Sequence, residues 1–526
     1  MGETKGDEEN PDAVNEYLRR FNKRKQTQQE KTSTNYGLNI LLGVLFSFTL
    51  AVVTLAYFSE MKYLKRTEPH AALDLHEFDE KVTTGAKTNA PTVATSDVNT
   101  LIIAPSPATR SLAGVQQFNS EFEVDGCSDN TRKEHWVAHC KALYDGKVYR
   151  RGEDGPLVAL MESVKPGTHA ASLLELSDGT LLYAWFSGKE GLAGVVIVVS
   201  RLAPGSDQWT HPQVISAHNG RSNQNPVLFR DPATQTIWLL HTSQEGGKGQ
   251  GTAFVASLSS ADGGLTWTPP EKMTGFRDSG PFVKGKLLLA ENGDWLVPMY
   301  YTPDGFGAFS THYSAMLRTS NHGTTWHQSL MSTKGQFLAQ PTVVRLNKSH
   351  HLLAFFRDRK GQWIFTSLST DEGATWPLTH TKTRLPNNNS GIQAAVLANG
   401  NIVLVFNNLQ GFKRFPLSVA LSEDEGKTFA YVRDIEKGGA TLDPVSPALE
   451  QNRYSYPSVI GTADGRIHIG YTYRRETMKY VVIDEAWIRR GGTVGVFKGD
   501  TAPIATDETS APAGDASATG ALERTE

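Results

Sequence analysis

One eight-residue phrase returns four times in this chain at nearly even intervals: SADGGLTW over 260–267, TSNHGTTW over 319–326, STDEGATW over 369–376 and SEDEGKTF over 422–429. Its third residue is Asp262, Asn321, Asp371 or Asp424, so the steps are 59, 50 and 53 residues. Repeats of this length build solenoids, propellers or arrays, and they constrain the fold more than any composition does. The phrase itself has the chemistry of a hairpin turn. The Asp or Asn can bond back to the turn backbone, the glycine supplies a positive φ, and the closing aromatic packs beneath. It is structural, and these residues are expected at outer turns, away from any ligand.

A second repeat runs out of phase with the first. Apolar–turn–apolar hairpins centre on Asp178, Ala233, Asn292, Lys348, Asn399 and Asp464, as in LLELSDGTLLYAWF and VIGTADGRIHIGYTY. Alternating apolar residues on either side of a short polar turn signal paired antiparallel strands. Six such units of about four strands each predict an all-β, six-bladed β-propeller. The first unit carries only a worn copy of the phrase, over 205–209.

The propeller is expected over 157–492. Ahead of it, a charge-free apolar run opens at Ile40 and closes at Phe58, long enough to span a bilayer as a helix. Six basic residues between Arg19 and Lys31 precede it and three follow, which favours a cytoplasmic N-terminus. The expected layout is a cytoplasmic disordered tail (1–35), a transmembrane signal anchor (36–60), a stalk rich in Ala, Thr, Ser and Pro (61–115), a juxta-propeller segment (116–156), the propeller, and a disordered tail (493–526). The propeller would then lie outside the cytoplasm, where Cys127 and Cys140, the only cysteines, could form a disulfide. Asn347 and Asn388 sit in N-x-S sequons. A net charge of −3 gives no support for a nucleic-acid partner. No P-loop, Rossmann fingerprint, CxxC, HExxH or G-x-S-x-G occurs, and no cofactor or metal is expected.

The repeated phrase resembles the Asp-box (BNR) repeat of the sialidase superfamily. The resemblance covers about 157–490 and is nearest to the bacterial-type predicted neuraminidases, in NQNPVLFRDP, QPTVVRL, FFRDR, LPNNNSGI and YSYPSVIGTADGRIHIGYTYRR. It implies a glycosidase that removes a terminal acidic sugar, sialic acid or a relative, from glycans. Such enzymes grip the sugar carboxylate with three arginines, attack with a tyrosine backed by a glutamate, and use an aspartate as acid/base. The physical logic is plain: guanidinium forks match carboxylates, and a phenol with a pKa near 10 needs help to ionise.

Position by position, the resemblance implies Arg357 and Arg414 as carboxylate ligands and Tyr456 as the nucleophile. Three positions depart. His169 stands where the first arginine is expected, Gln340 where the supporting glutamate is, and Glu190 is the only carboxylate in the loop that should hold the acid/base. His169 could act as acid or base, Arg474 or Arg475 could supply the missing arginine, and Asn388 could bond sugar hydroxyls. Two alternatives stay open on the sequence: a glycan-binding propeller without catalysis, or a hydrolase or lyase for another sugar, such as a uronic acid, using His169.

Overall fold

A computed structural model of the chain describes residues 117–118, 144–305, 309–438 and 453–500. Among the described residues no helix is long and apolar enough to cross a membrane. The run from Ile40 to Phe58, the stalk, Cys127 and Cys140 all lie outside them.

Six antiparallel sheets follow one another along the chain, and each of the six sequence hairpins is the first strand pair of one sheet. Blade one, for instance, is His169–Glu175, Leu181–Ser187, Val196–Leu202 and Gln213–Ser216. The innermost strand of blade one packs against those of both blade two (Arg221–Arg230) and blade six (Tyr454–Gly461), so the ring closes.

Period-two patterning produces this stacking. In Leu181–Ser187 every residue is buried, because a neighbouring blade covers each face. Leu181, Tyr183 and Trp185 pack with Met478, Tyr480 and Val482 of blade six, while Leu182, Ala184 and Phe186 pack with Leu228, Leu239 and Leu258 of blade two. The fit is close: a Cβ on Gly470 would sit 2.7 Å from the Tyr183 ring. The edge strand Gln213–Ser216 is mostly exposed, as an outer strand should be.

The repeated phrase joins the third and fourth strands of blades two to five. Asp371 accepts from Ser369 Oγ (2.7 Å) and Thr375 N (2.9 Å), and Trp376 Nε1 donates to Gly373 O at 3.2 Å. Asp262, Asn321 and Asp424 repeat the pattern. Blade six has no copy because its outer strand comes from the other end of the chain. Leu157–Leu160 pairs antiparallel with Thr477–Ile483, and Tyr149–Arg151 and Gln117–Phe118 extend the sheet further.

Two expected boundaries move. Part of the juxta-propeller segment belongs to blade six, as those pairings require. The propeller runs past residue 492, because 493–500 is strapped across blade five. Phe497 is buried in that blade's core, its amide donates to Asn408 Oδ1, and Asp500 accepts from Phe429 N. Of the three large apolar residues here only Phe497 is buried, Val494 and Val496 being exposed.

Candidate active site

Four innermost strands break register at the same point: between His169 and Ser172, Gln224 and Val227, Ala339 and Thr342, and Ser455 and Ser458. The residue at each break is left-handed: Ala170 (φ 62°), Asn225 (50°), Gln340 (47°) and Tyr456 (53°). A proline follows in three of them, although residues before proline normally stay extended. Bulges and left-handed side chains of this kind concentrate at functional sites, where they re-aim a side chain.

Asn225 and Tyr456, at two of these breaks, line a cavity of about 1040 Å³, and Gln340 at a third touches Tyr456. Arg357, Arg359, Arg414, Arg453, Arg475 and Lys413 line the cavity, and Glu190 is the only lining carboxylate among the described residues. So cationic a wall selects anionic ligands.

At its floor Arg357 Nη1 donates to the Tyr456 oxygen at 2.7 Å and to Gln340 Oε1 at 2.6 Å. The other nitrogens, Nε and Nη2, are held by Asn389. An arginine only donates, so its contact fixes the Gln340 amide with oxygen toward Arg357 and nitrogen toward the phenols. That nitrogen reaches the oxygens of Tyr456 and Tyr300, both at 3.2 Å. Arg414 lies over the Tyr456 ring at 5.4 Å and holds Ser455 Oγ at 3.1 Å.

Burial alone would raise the Tyr456 pKa, but the charges of Arg357 and Arg414 outweigh it and bring the phenol down to about 8. From blade three, Lys284 bonds Pro457 O and Ala171 O beneath the ring, and burial brings its ammonium down to about 8 as well.

The structure thus brings Tyr456, Arg357, Arg414, Gln340, Glu190 and Asn388 to one place. Asn388 lines the cavity, with its amide nitrogen on Lys413 O (2.6 Å) and its oxygen unpartnered. Burial makes its sequon inaccessible in the folded chain, whereas Asn347 sits on an exposed turn.

Two expectations fail. His169 does not line the cavity. The blade-one residue equivalent to Tyr456 is Ala170, one position on, so His169 is fully buried behind Tyr456 with ring centroids 4.1 Å apart. Its Nδ1 bonds Thr472 Oγ1 at 2.7 Å, and burial, followed by the charges of Arg475 and Arg414, drives its pKa well below 6.5. A neutral, enclosed imidazole neither grips a carboxylate by charge nor reaches a substrate. Arg474 also turns away, lying over the Tyr473 ring at 5.4 Å, and Arg475 takes the cavity position.

Arg475 Nη2 pairs with Glu190 Oε2 at 2.7 Å. Desolvation by the surrounding cavity wall works to raise the pKa of this partly exposed carboxyl, but the charge and hydrogen bond of Arg475 override it and lower it. Arg359 and Tyr300 also line the cavity. Among the described residues no group of His, Cys, Asp and Glu could hold a metal ion.

Comparison with known proteins gives the family. The family profile of the BNR repeat-like domain matches residues 179–469, more than half of the chain, and the chain belongs to that family. Its fold is that of the sialidase-superfamily propellers. Similar solved structures include a leech intramolecular trans-sialidase complexed with 2,7-anhydro-Neu5Ac (14% identity, TM-score 0.53, 69% of this chain and 73% of that one). The NanB sialidase of Streptococcus pneumoniae matches at 12% identity and TM-score 0.51 over 66% of this chain and 71% of that one. A Hadza microbial sialidase matches at 16% identity and TM-score 0.50, over 61% of this chain and just under two thirds (66%) of that one. No curated protein matches the chain by sequence.

Proposed function

We propose that the protein is a sialidase-type glycoside hydrolase that removes a terminal acidic sugar from glycans, with Tyr456 as nucleophile. The observation that carries this is the surrounding of the Tyr456 oxygen: Arg357 and Gln340 both donate to it. Where a glutamate would take the phenol proton, a glutamine and two guanidinium groups stabilise the phenolate instead.

The tyrosinate attacks the anomeric carbon, a C–O bond to Tyr456 forms, and the bond to the aglycone oxygen breaks, the oxygen leaving as an anion that takes its proton from solvent. Arg414 and Arg475 hold the sugar's carboxylate. In the second half, ionised Glu190 takes a proton from water as the water displaces Tyr456, returning the tyrosinate, and then releases that proton to solvent. As an ionised carboxylate Glu190 is well suited to that step and poorly suited to protonating a departing alcohol.

Turnover is therefore expected to fall steeply as the leaving group becomes more basic. The test is hydrolysis of a series of aryl sialosides and of sialyllactose by residues 144–500, with Tyr456→Phe as the inactive control. Equal rates across the series would show that the departing alcohol is protonated after all, and Glu190 could not then be a base alone.

One observation favours a second reading, a glycan-binding propeller without catalysis: the only lining carboxylate among the described residues is already tied to Arg475. Tight binding of sialyllactose with no turnover of even the best aryl leaving group would select it. The proposal also includes a membrane anchor from Ile40 to Phe58, with the propeller outside the cytoplasm, supported by the length and flanking charges of that run. Protease digestion of sealed membranes that destroys the propeller from the cytoplasmic face would reverse this orientation.

A further inference from the structure

Arg359 is a cavity residue that the hydrolytic chemistry leaves unused. It is 4% exposed, its Nε has no partner, and it forms no ion pair among the described residues. The adjacent carboxylate, Asp358, is committed to the backbone amides of Lys360, Gln362 and Trp363. Aromatic rings hold the guanidinium in place: Tyr300 at 5.5 Å and Phe309 at 5.1 Å from its central carbon. Burial, then repulsion from Arg357, lowers its pKa to about 10. A buried guanidinium beside another cation and without a carboxylate is costly to keep, and replacing such a charge by an apolar side chain is often stabilising.

Its place relative to the nucleophile is also defined. The Gln340 amide nitrogen touches both Tyr456 and Tyr300. Arg414 lies over the first phenol and Arg359 over the second. Beyond Arg359, on blade two, the side-chain oxygens of Gln244 and Gln250 line the same cavity buried and unpartnered, ready to accept from hydroxyls. The floor thus carries two cationic positions, one over the nucleophile and one a ring away.

We propose that Arg359 is a second anion subsite, so that the cavity takes glycans carrying two acidic groups. One is the carboxylate of the sugar over Tyr456, the other a carboxylate or sulfate ester on the adjoining residue. The assignment of two sugars rests on the proposed glycosidase function; the subsite itself does not.

Two experiments separate these. Calorimetric titration with inorganic sulfate should find two sites in the wild-type propeller and one in either Arg359→Met or Arg414→Met. A single wild-type site, or one that Arg359→Met leaves intact, overturns the subsite. An adventitious ion only, bound equally by both variants, overturns it too. Glycan titration should then show a disialyl and a sulfated sialyl trisaccharide binding roughly tenfold tighter than the monosialyl ligand. The preference should vanish in Arg359→Met while monosialyl affinity stays. Which of the two doubly acidic ligands gains more identifies the second group. Sulfate binding at two sites with no glycan binding would sink the sugar assignment and leave the anion subsite standing.

The folding control is informative in itself. Arg359→Met should melt at or above the wild-type temperature, because it relieves a buried unpaired charge. A clear loss of melting temperature would mark Arg359 as a structural residue and end the proposal.

Discussion

On the proposed mechanism, one amide, that of Gln340, takes over work usually given to a base. Arg357 fixes its oxygen, so its nitrogen must point at Tyr456, and the phenol oxygen meets donors rather than an acceptor. The groups facing Tyr456 are Arg357 from blade four, Arg414 from blade five, Lys284 from blade three, His169 from blade one and, farther off, Glu190 and Arg359. With the phenol at about 8, the attacking form is present above that pH and lost below it, so kcat/KM should climb through about pH 8. Ultraviolet titration should find one tyrosine ionising there, absent in Tyr456→Phe. In Gln340→Glu a negative neighbour opposes the phenolate, and that ionisation should move up by about one unit or more. An unchanged titration would refute the donor account. His169 yields a separate expectation. Because it is neutral and packed behind Tyr456, His169→Ala should cost about 2–3 kcal/mol through the void it leaves. It should also cut turnover by loosening the tyrosine, yet leave no change in the pH profile near 6. Tyr456, Arg357 and Arg414 were legible in the sequence through the family resemblance, which gives each a place relative to a hairpin or a repeated phrase. Arg475 was not separable from Arg474, since both are left-handed (φ 66° and 57°) in one turn and sequence does not say which faces inward. His169 was misplaced by a single residue of register, which is enough to move a strand side chain to the other face.

At the scale of elements, the turns were read correctly and the bulges were missed. The phrase and the six hairpins rest on local chemistry, a side chain capping its own turn and apolar alternation, so they survive in the sequence. The device that aims Asn225, Gln340 and Tyr456 is also written there, as Asn-Pro, Gln-Pro and Tyr-Pro opening an innermost strand, with Gly280-Pro281 in blade three. Proline in a strand ordinarily marks an edge or an irregularity, and nothing local says that the residue ahead of it turns left-handed into a cavity. The phrase, by contrast, should matter only for stability. Asp371 bonds Ser369 and Thr375 on an outer turn, and these hydrogen bonds hold its pKa down although burial pulls the other way. Asp371→Ala should lower stability by about 0.5–2 kcal/mol in denaturant unfolding and leave ligand affinity unchanged. A loss of affinity at unchanged stability would contradict a purely structural role.

For the whole molecule, the decisive contact is the one that joins the two ends of the ring. Leu157–Leu160 pairs with Thr477–Ile483 through Leu157–Val482, Val158–Val481, Ala159–Tyr480 and Leu160–Lys479, and this strand is buried along its length. Without it, Thr477–Ile483 becomes an edge strand with open backbone groups and apolar side chains, a template for aggregation. Blade one would also lose a neighbour, because Leu157, Ala159 and Met161 pack in one cluster with Tyr183, Trp185 and Trp209. The cavity depends on the same closure, since Tyr456 comes from blade six while Arg357 and Arg414 come from blades four and five. The sequence revealed six units but not which terminus completes the sixth, because strand pairing over more than 300 residues leaves no local trace. Residues 144–500 should therefore fold and melt cooperatively, whereas residues 166–500 should aggregate or lack a cooperative transition. Adding a peptide of residues 144–163 in trans should restore the melt and, with it, the Tyr456 ionisation. If 166–500 folds on its own with Tyr456 titrating as in the longer chain, the closing strand is dispensable and the ring is held by the inner strands alone.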